Sequence, residues 1–452
     1  MKTRLAVVAI AAIALAGCGG GSGSKSSSSD FTPLSSSDRA SQTLRIYGFG
    51  KGDDVASNRF AVAKQAIAPA KIVNPEGAYN AQRFLTQLAS GNVPDLLYLD
   101  RQQVATLAAK GSLQPLDKCL TAQNVDRSLY RPAALNEASY NGSLYAVPEF
   151  TNQRMLIVNL KAVKEAGLQP SDVSTTDWAK LKVVAKKLTT LSGDKVTRIG
   201  FDPKIPEFFI MWAHANGVDL LSQDGKTVNF DDPKAVEALE YTTSLIDEQG
   251  GWKNFKSFRD TWDYFGAKNQ VASDQVGAWP MESWYWNVMA QTSPDVQVKA
   301  VPFTDRQGKP FTYIGGAGWA IPKGAKHPAL ACSFVTSITS TKAWLTAAKK
   351  RAAAAKAAGQ PFTGLYTANV KADQQIIDTV YQPESPQWDS AVKALVNVQE
   401  NAIYWPASPA GAQIQQALTD AINRVLAGQQ SPKAALAQAQ TEAQNAIDNS
   451  GS

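Results

Sequence analysis

Hydrophobic and polar positions along the chain fall into two alternating periods. TLRIYGF, from Thr43 to Phe49, has the β-branched and aromatic make-up of a strand. A helical pattern follows from about Val55 to Ala68, where Pro69 stops it. Lys71 to Asn74 predicts a second short strand, Tyr79 to Ala89 a helix ending before Gly91, and LLYLD at 96–100 a third strand. Val104, Leu107 and Ala108 then mark one helical face, closed by Gly111. Strands alternating with helices imply parallel pairing and an α/β layer architecture. Ligands of such sheets bind in the loops at the carboxyl ends of the strands.

A second α/β block begins near residue 150. RMLIVNL at 154–160 reads as an apolar strand. Trp178, Leu181, Ala185 and Leu188 recur at helical spacing behind Thr175 or Thr176 as N-cap, and Arg198 to Phe201 is a short strand. Asp232-Pro233 opens a helix as N-cap and first residue. QVGAW at 275–279 predicts a strand whose regular pairing Pro280 ends. At the far end Ile414, Leu418, Ile422 and Val425 form a stripe, Gly428 stops it, and Ser431-Pro432 starts a final helix.

The front of the chain changes the picture from a free domain to an exported one. Lys2 and Arg4 precede an apolar run, Leu5 to Ala16, too short to span a bilayer as a mature helix. Leu15-Ala16-Gly17-Cys18 resembles the bacterial lipobox, which implies a signal peptide at 1–18 and a lipidated Cys18. A Gly/Ser tether over 19–40 follows, including the Ser35–Ser37 cluster, with a reach of roughly 25 Å for about 20 residues. These features predict an extracytoplasmic protein, on the cell surface or in the periplasm, held at the membrane by lipid and without a transmembrane helix. The remainder is long enough for two domains. Cys119 and Cys332 could pair or remain two buried thiols. The net charge of +6 is small and spread out, and the densest basic run, Lys349-Lys350-Arg351, reads as a solvated helix face, so nucleic-acid binding is not supported.

Four segments carry a resemblance: GNVPDLLYLDRQQVATLAAKGSLQPL at 91–116, LYAVPEFTNQRMLIVNLKAVKEAGL at 144–168, KPFTYIGGAGWAIPKGAKHPALACSFV at 309–335 and INRVLAGQQSPKAALAQAQ at 422–440. In order and wording they are similar to the extracellular solute-binding proteins of bacterial ABC importers, in the sugar-binding branch that includes maltose-binding protein. The resemblance implies two α/β lobes around a ligand cleft, joined by crossover strands. The lobes are expected at 41–150 with 316–358 and at 151–315 with 359–448. It further implies a monomer that captures a sugar or sugar-like polar solute by hinge closure and delivers it to ABC permease transmembrane subunits, with no cofactor or metal and no enzymatic activity.

A sugar presents hydroxyls on its rim and C–H groups on its faces, so its site needs flat aromatic surfaces and fixed polar groups. VGAWPMESWYW at 276–286 offers both. By resemblance Trp284 stacks on sugar, with Glu282 as an acceptor of hydroxyl hydrogen bonds; Trp286 is assigned to the core and Trp279 stays open between core and cleft. The same family positions nominate Asn152 on the first crossover and Gly315 and Gly316 on the second. They also nominate Asp100 and Arg101 after the third strand, and Glu207; Tyr47 and Phe49, at the first strand's end, are candidates for the opposite wall, and Trp405 for closing the pocket. The maltose-type branch carries a carboxylate at the position of Asn152 and an aromatic near Asp100 where this chain has Leu99. Both departures speak against a maltodextrin-like ligand.

Enzyme chemistry finds little footing. With only His214 and His327, neither HExxH nor a Ser-His-Asp constellation is evident. Cys119 and Cys332 have no CxxC partners, and Leu220 stands where a P-loop before Gly225-Lys226-Thr227 would need its first glycine. Glu282 with a distant second carboxylate leaves a lipid-anchored glycoside hydrolase as the alternative. A binding protein for a non-sugar polar solute is the other.

Overall fold

A computed structural model describes residues 31–383 and 385–450. Two five-stranded sheets form two lobes. In the first, strands run in the order Lys71–Val73, Thr43–Tyr47, Leu96–Asp100, Ala317–Ala320, Ala146–Pro148. The first three are parallel, as the strand–helix alternation demands, and Ala317–Ala320 joins antiparallel from far along the chain. In the second the order is Val298–Val301, Arg154–Asn159, Val276–Glu282, Lys195–Phe201, Thr190–Ser192. Arg154–Asn159, buried at all six positions, is its spine. Each sheet has its own apolar core.

Most local expectations hold, with instructive differences. Asp53 caps the helix Asp54–Ala66 by accepting the Ala56 N–H at 2.7 Å. The helix Trp178–Leu188 is capped by Asp177, not by either threonine; Thr175 donates instead to the Thr304 carbonyl at 2.9 Å. Pro280 does not end its strand. Pairing with Arg154–Asn159 continues to Glu282, whereas the partner on the other side is last matched at Ala278. The missing N–H of Pro280 therefore costs no ladder bond. The tether also ends earlier than residue 40: Phe31 is buried and Ser36–Ala40 is helical. Cys119 and Cys332 are joined as a disulfide between the helices Asp117–Ala122 and Pro328–Ile338. Cys18 lies outside the described residues.

Two crossover segments run side by side: Glu149 and Asn152 donate their N–H groups to the carbonyls of Ala317 and Gly315, both at 3.0 Å. The third passage falls later than residue 359. The helix Val370–Thr379 packs on Thr341–Ala357 of the first lobe, and Phe150 bridges Thr367. Arg131 also reaches Asp373 at 2.7 Å. Only with Pro386–Val398, packed on Val298–Val301, has the chain joined the second lobe. The cause is a third, small apolar core, Trp344 with Phe362, Leu365 and Ile376, which holds 362–381 against the first lobe. Among the described residues no helix is long and apolar enough to cross a membrane.

Candidate functional site: a cleft between the lobes

In the second sheet Lys195–Phe201 and Val276–Glu282 are parallel, so both end at the same edge. Beyond Glu282 the chain turns through Ser283, whose N–H donates to the Gln153 carbonyl at 2.8 Å, into the helix Trp284–Thr292. Trp284 thus leaves the sheet edge half-buried. Opposite stand Asp53 and Val55 at the start of a first-lobe helix, Arg351, and Phe150 and Asn152 of the first crossover. Together they enclose a cavity of about 320 Å³. Tyr366 and Asn287 complete its floor.

The aromatic wall has a second member that the sequence did not disclose. Phe265 is 67% exposed and its ring lies 5.9 Å from that of Trp284, 16° from parallel. It is held out by a turn in which the Asp263 carboxylate accepts the N–H groups of Phe265 and Gly266, at 3.2 and 2.9 Å. The exposed ring extends the flat surface of Trp284 at the rim of the cavity.

The polar wall is ionic but internally balanced. Arg351 pairs with Asp54 and lies 3.8 Å from Asp53. Burial would raise the Asp54 pKa, yet the hydrogen bond and charge of Arg351 hold it below the usual carboxylate range. In the second lobe, register partners Arg154 and Glu282 pair at 3.3 Å and Arg154 donates to the Asn152 carbonyl at 2.7 Å; neither Arg154 nor Glu282 lines the cavity. Glu282 is therefore one bond from Asn152 through Arg154. Among the described residues no cluster of His, Cys, Asp and Glu could hold a metal ion.

Several nominated residues stand elsewhere. Arg101 is fully buried and ion-paired with Glu137, which accepts from its Nε at 2.9 Å and lies 2.8 Å from its Nη2, and it donates to the Phe150 and Ala317 carbonyls. Its task is to brace the crossovers. Gly316, at φ +150°, is required by that brace, because a Cβ there would lie 2.6 Å from Arg101 and 2.4 Å from the Phe150 carbonyl. A Cβ at Gly315 would meet Arg154 at 3.4 Å. Phe49 is core, against Phe60, Tyr98 and Trp319, and Tyr47 is buried beneath Arg83 with its hydroxyl at the Asn80 backbone. Trp279 is also core, edge-on to Trp262 and Tyr285, as is Trp286 against Trp388. Trp405 is buried beside His214 and Tyr404 in a separate cavity of about 120 Å³. Asp100 and Glu207 are exposed, and neither lines the cleft cavity.

Phe265, Asp53, Arg351 and Tyr366 also line the cavity, and the sequence did not nominate them. Arg351 was hidden in a basic run that reads as a solvated face, and its pairing with Asp54 is a contact 297 residues apart. Phe265 had a weak signal, an aromatic flanked by Asp263 and Gly266 where a loop should be polar.

Two α/β lobes, two crossovers side by side and a cleft between the lobes are the architecture of a two-lobed solute-binding protein. Residues 70–350 match the family model for bacterial extracellular solute-binding protein, which is more than half of the chain, and the chain belongs to that family. An arabinooligosaccharide-binding protein from Bacillus subtilis is 23% identical over 268 residues, spanning 58% of this chain and 60% of the relative's length. Among solved structures, CpMnBP1 with mannotriose bound is 24% identical with a TM-score of 0.72, covering 89% of this chain and 100% of the other. An ABC substrate-binding protein from Listeria monocytogenes in complex with cycloalternan is 18% identical with a TM-score of 0.73, covering 90% and 99%.

Proposed function

We propose that this protein captures a sugar, in particular a short oligosaccharide, outside the cytoplasmic membrane and delivers it to an ABC permease. The observation that carries the reading is the near-parallel pair Trp284 and Phe265 on one wall of a cleft whose other side offers Asp53 and Asn152. Stacked rings take the C–H faces of a pyranose or furanose, while the amides and carboxylate take its hydroxyls. The names of the similar proteins, which bind arabino-oligosaccharide, mannotriose and cycloalternan, support the same class. Glu282 is tied to Arg154, which favours a fixed acceptor over an acid awaiting a glycosidic bond.

In this reading ligand closes the hinge because it touches both walls only when the lobes approach, and the differential contact supplies the closing energy. The protein acts as a monomer, anchored through Cys18; Cys18→Ser should move it from the membrane fraction to the soluble one. Titrating the protein with arabinotriose, mannotriose and cycloalternan while following tryptophan fluorescence tests the assignment. A saturable change with no release of shorter sugar is expected; turnover of any of them would overturn it.

A further inference from the structure

One charged side chain near the cleft meets aromatic rings but no acceptor. Lys204 lies in the loop 202–208, at the carboxyl end of Lys195–Phe201. That is the sheet edge at which Trp284 emerges, because Lys195–Phe201 and Val276–Glu282 run parallel. Its backbone has φ +56°. Among the described residues the other three non-glycine positions with positive φ are Asn124, Asn141 and Asp274, types whose short side chains tolerate that region. Lysine does not, and such strain persists only where the surroundings enforce it.

The enforcement is visible. The Asp202 carboxylate accepts the Lys204 N–H at 2.8 Å, Trp212 donates to the Pro203 carbonyl at 2.9 Å, and the Phe208 N–H returns to the Lys204 carbonyl at 2.9 Å. Asp202 is itself buried and faces Arg259 at 3.6 Å. The result is an ammonium set over three rings: Phe208 and Trp279 at 5.6 Å and Tyr264 at 5.7 Å. Among the described residues that ammonium has no hydrogen bond and no ion pair, although the residue is half-buried. The nearby charges are already engaged or displaced: Asp202 with Arg259, Glu282 with Arg154, and Glu207 exposed.

Tyr264 precedes Phe265, which lines the cavity, so the half-buried side of the Lys204 seat adjoins the Trp284–Phe265 platform. Lys204 itself stands outside the cavity of about 320 Å³, and its other two rings, Phe208 and Trp279, are core. We infer that Lys204 is a specificity-determining residue, its ammonium donating to hydroxyl oxygens of the sugar unit that lies beyond the Trp284–Phe265 platform. This rests on the sugar reading of the cleft and deepens it: the ligand is an oligosaccharide of more than one unit running along the second lobe's wall. A cation with three donors and no protein acceptor can be satisfied by a neutral polyol without altering the charge balance of the cleft.

The test compares the unaltered protein with Lys204→Met, which keeps the aliphatic stem, and Lys204→Asn, which suits the left-handed backbone. Each is titrated with mannotriose and mannose and with arabinotriose and arabinose, and melted without ligand. Losing a charged donor to a hydroxyl should weaken trisaccharide binding about tenfold and lower the ratio of trisaccharide to monosaccharide affinity. Lys204→Asn should hold or raise the melting temperature by about 1–2 °C. Unchanged trisaccharide affinity in both variants overturns the inference. So does a fall in melting temperature with equal loss for both sugar lengths, which would make Lys204 a packing residue. If the unaltered protein answers no sugar, the reading of the cleft fails and this inference with it; if it binds and the variants match it, only this inference fails.

Discussion

The two walls of the cleft are held by opposite means. The first lobe braces its side with charge and a covalent link: Arg59 pairs with Glu149 and Arg101 with Glu137, all four side chains fully buried, and Cys119 joins Cys332. Arg59 is additionally pressed on Trp344, 3.8 Å from the ring centroid, with Phe150 on its other flank. Burial raises the pKa of both Glu149 and Glu137, and the arginines oppose it. The second lobe braces its side with rings, Trp262, Trp279, Tyr285 and Trp284 meeting edge to face, and its ion pairs are at least partly open to solvent. A polar brace fixes direction: Arg101 and Arg59 end on or beside Phe150, which lines the cavity at the crossover. An aromatic brace supplies a flat surface and can carry it outward to Trp284.

The largest expected effect is on the covalent link. Its cysteines are 213 positions apart, and a loop of that length confines the unfolded chain by about 5 kcal/mol in the chain-entropy picture. Replacing both with serine should lower the denaturation midpoint of the first lobe. A single unchanged unfolding transition would show that the second lobe's packing governs stability. Next, Arg59→Met leaves Glu149 buried without its partner and should cost about 3–5 kcal/mol; Trp279→Ala should cost about the same by opening a cavity. If the braces differ as described, Glu149→Gln added to Arg59→Met restores part of the loss, while nothing polar rescues Trp279→Ala. Chemical denaturation of the four variants decides it.

A third effect is set by pH at the late crossover. Burial pushes the Asp373 carboxyl up to about 6, against the opposing charge and hydrogen bond of Arg131. The folded state then binds the proton more tightly than the unfolded one. The contribution is present in full below about pH 4 and is lost as pH rises through 6. The span corresponds to about 3 kcal/mol. The stability of the unaltered protein relative to Asp373→Asn should therefore fall across pH 4–6.5. A flat difference would mean the carboxyl is not displaced.

How far the sequence disclosed all this depends on range. Strands such as Leu96–Asp100 and Arg154–Asn159, and helices such as Pro233–Asp247, are written in local periodicity and caps, and they appear where expected. The third passage between the lobes was misplaced because the core around Trp344 gathers residues from 55 to 392, which no local pattern reveals. Of the nominated residues, Trp284 and Asn152 do line the cleft cavity, and each sits at the end of a readable strand or crossover. Tyr47, Phe49 and Trp405 were mistaken for wall because an aromatic at a strand's end looks the same whether it faces solute or core. Arg101 was mistaken because its partner Glu137 lies 36 residues on, and nothing nearby announces the pair.

The smallest effect on folding is the one most telling for function. Trp284 and Trp279 lie five residues apart in one stretch, yet Trp279 is wholly buried and Trp284 is not. Trp284→Ala removes a half-buried ring whose neighbours are an exposed Phe265 and the edge of Tyr285, so stability should change by under about 1 kcal/mol. Affinity for arabinotriose or mannotriose should fall by ten- to a hundredfold, on the order of 1–3 kcal/mol of lost stacking and burial. Phe265→Ala should show the same signature at smaller amplitude, since its ring stands on the open side of the cavity. Isothermal titration beside thermal melting reads both quantities from one preparation. Should Trp284→Ala melt early and bind normally, the division between a structural tryptophan and a ligand-facing one is reversed, and the aromatic wall belongs to the core after all.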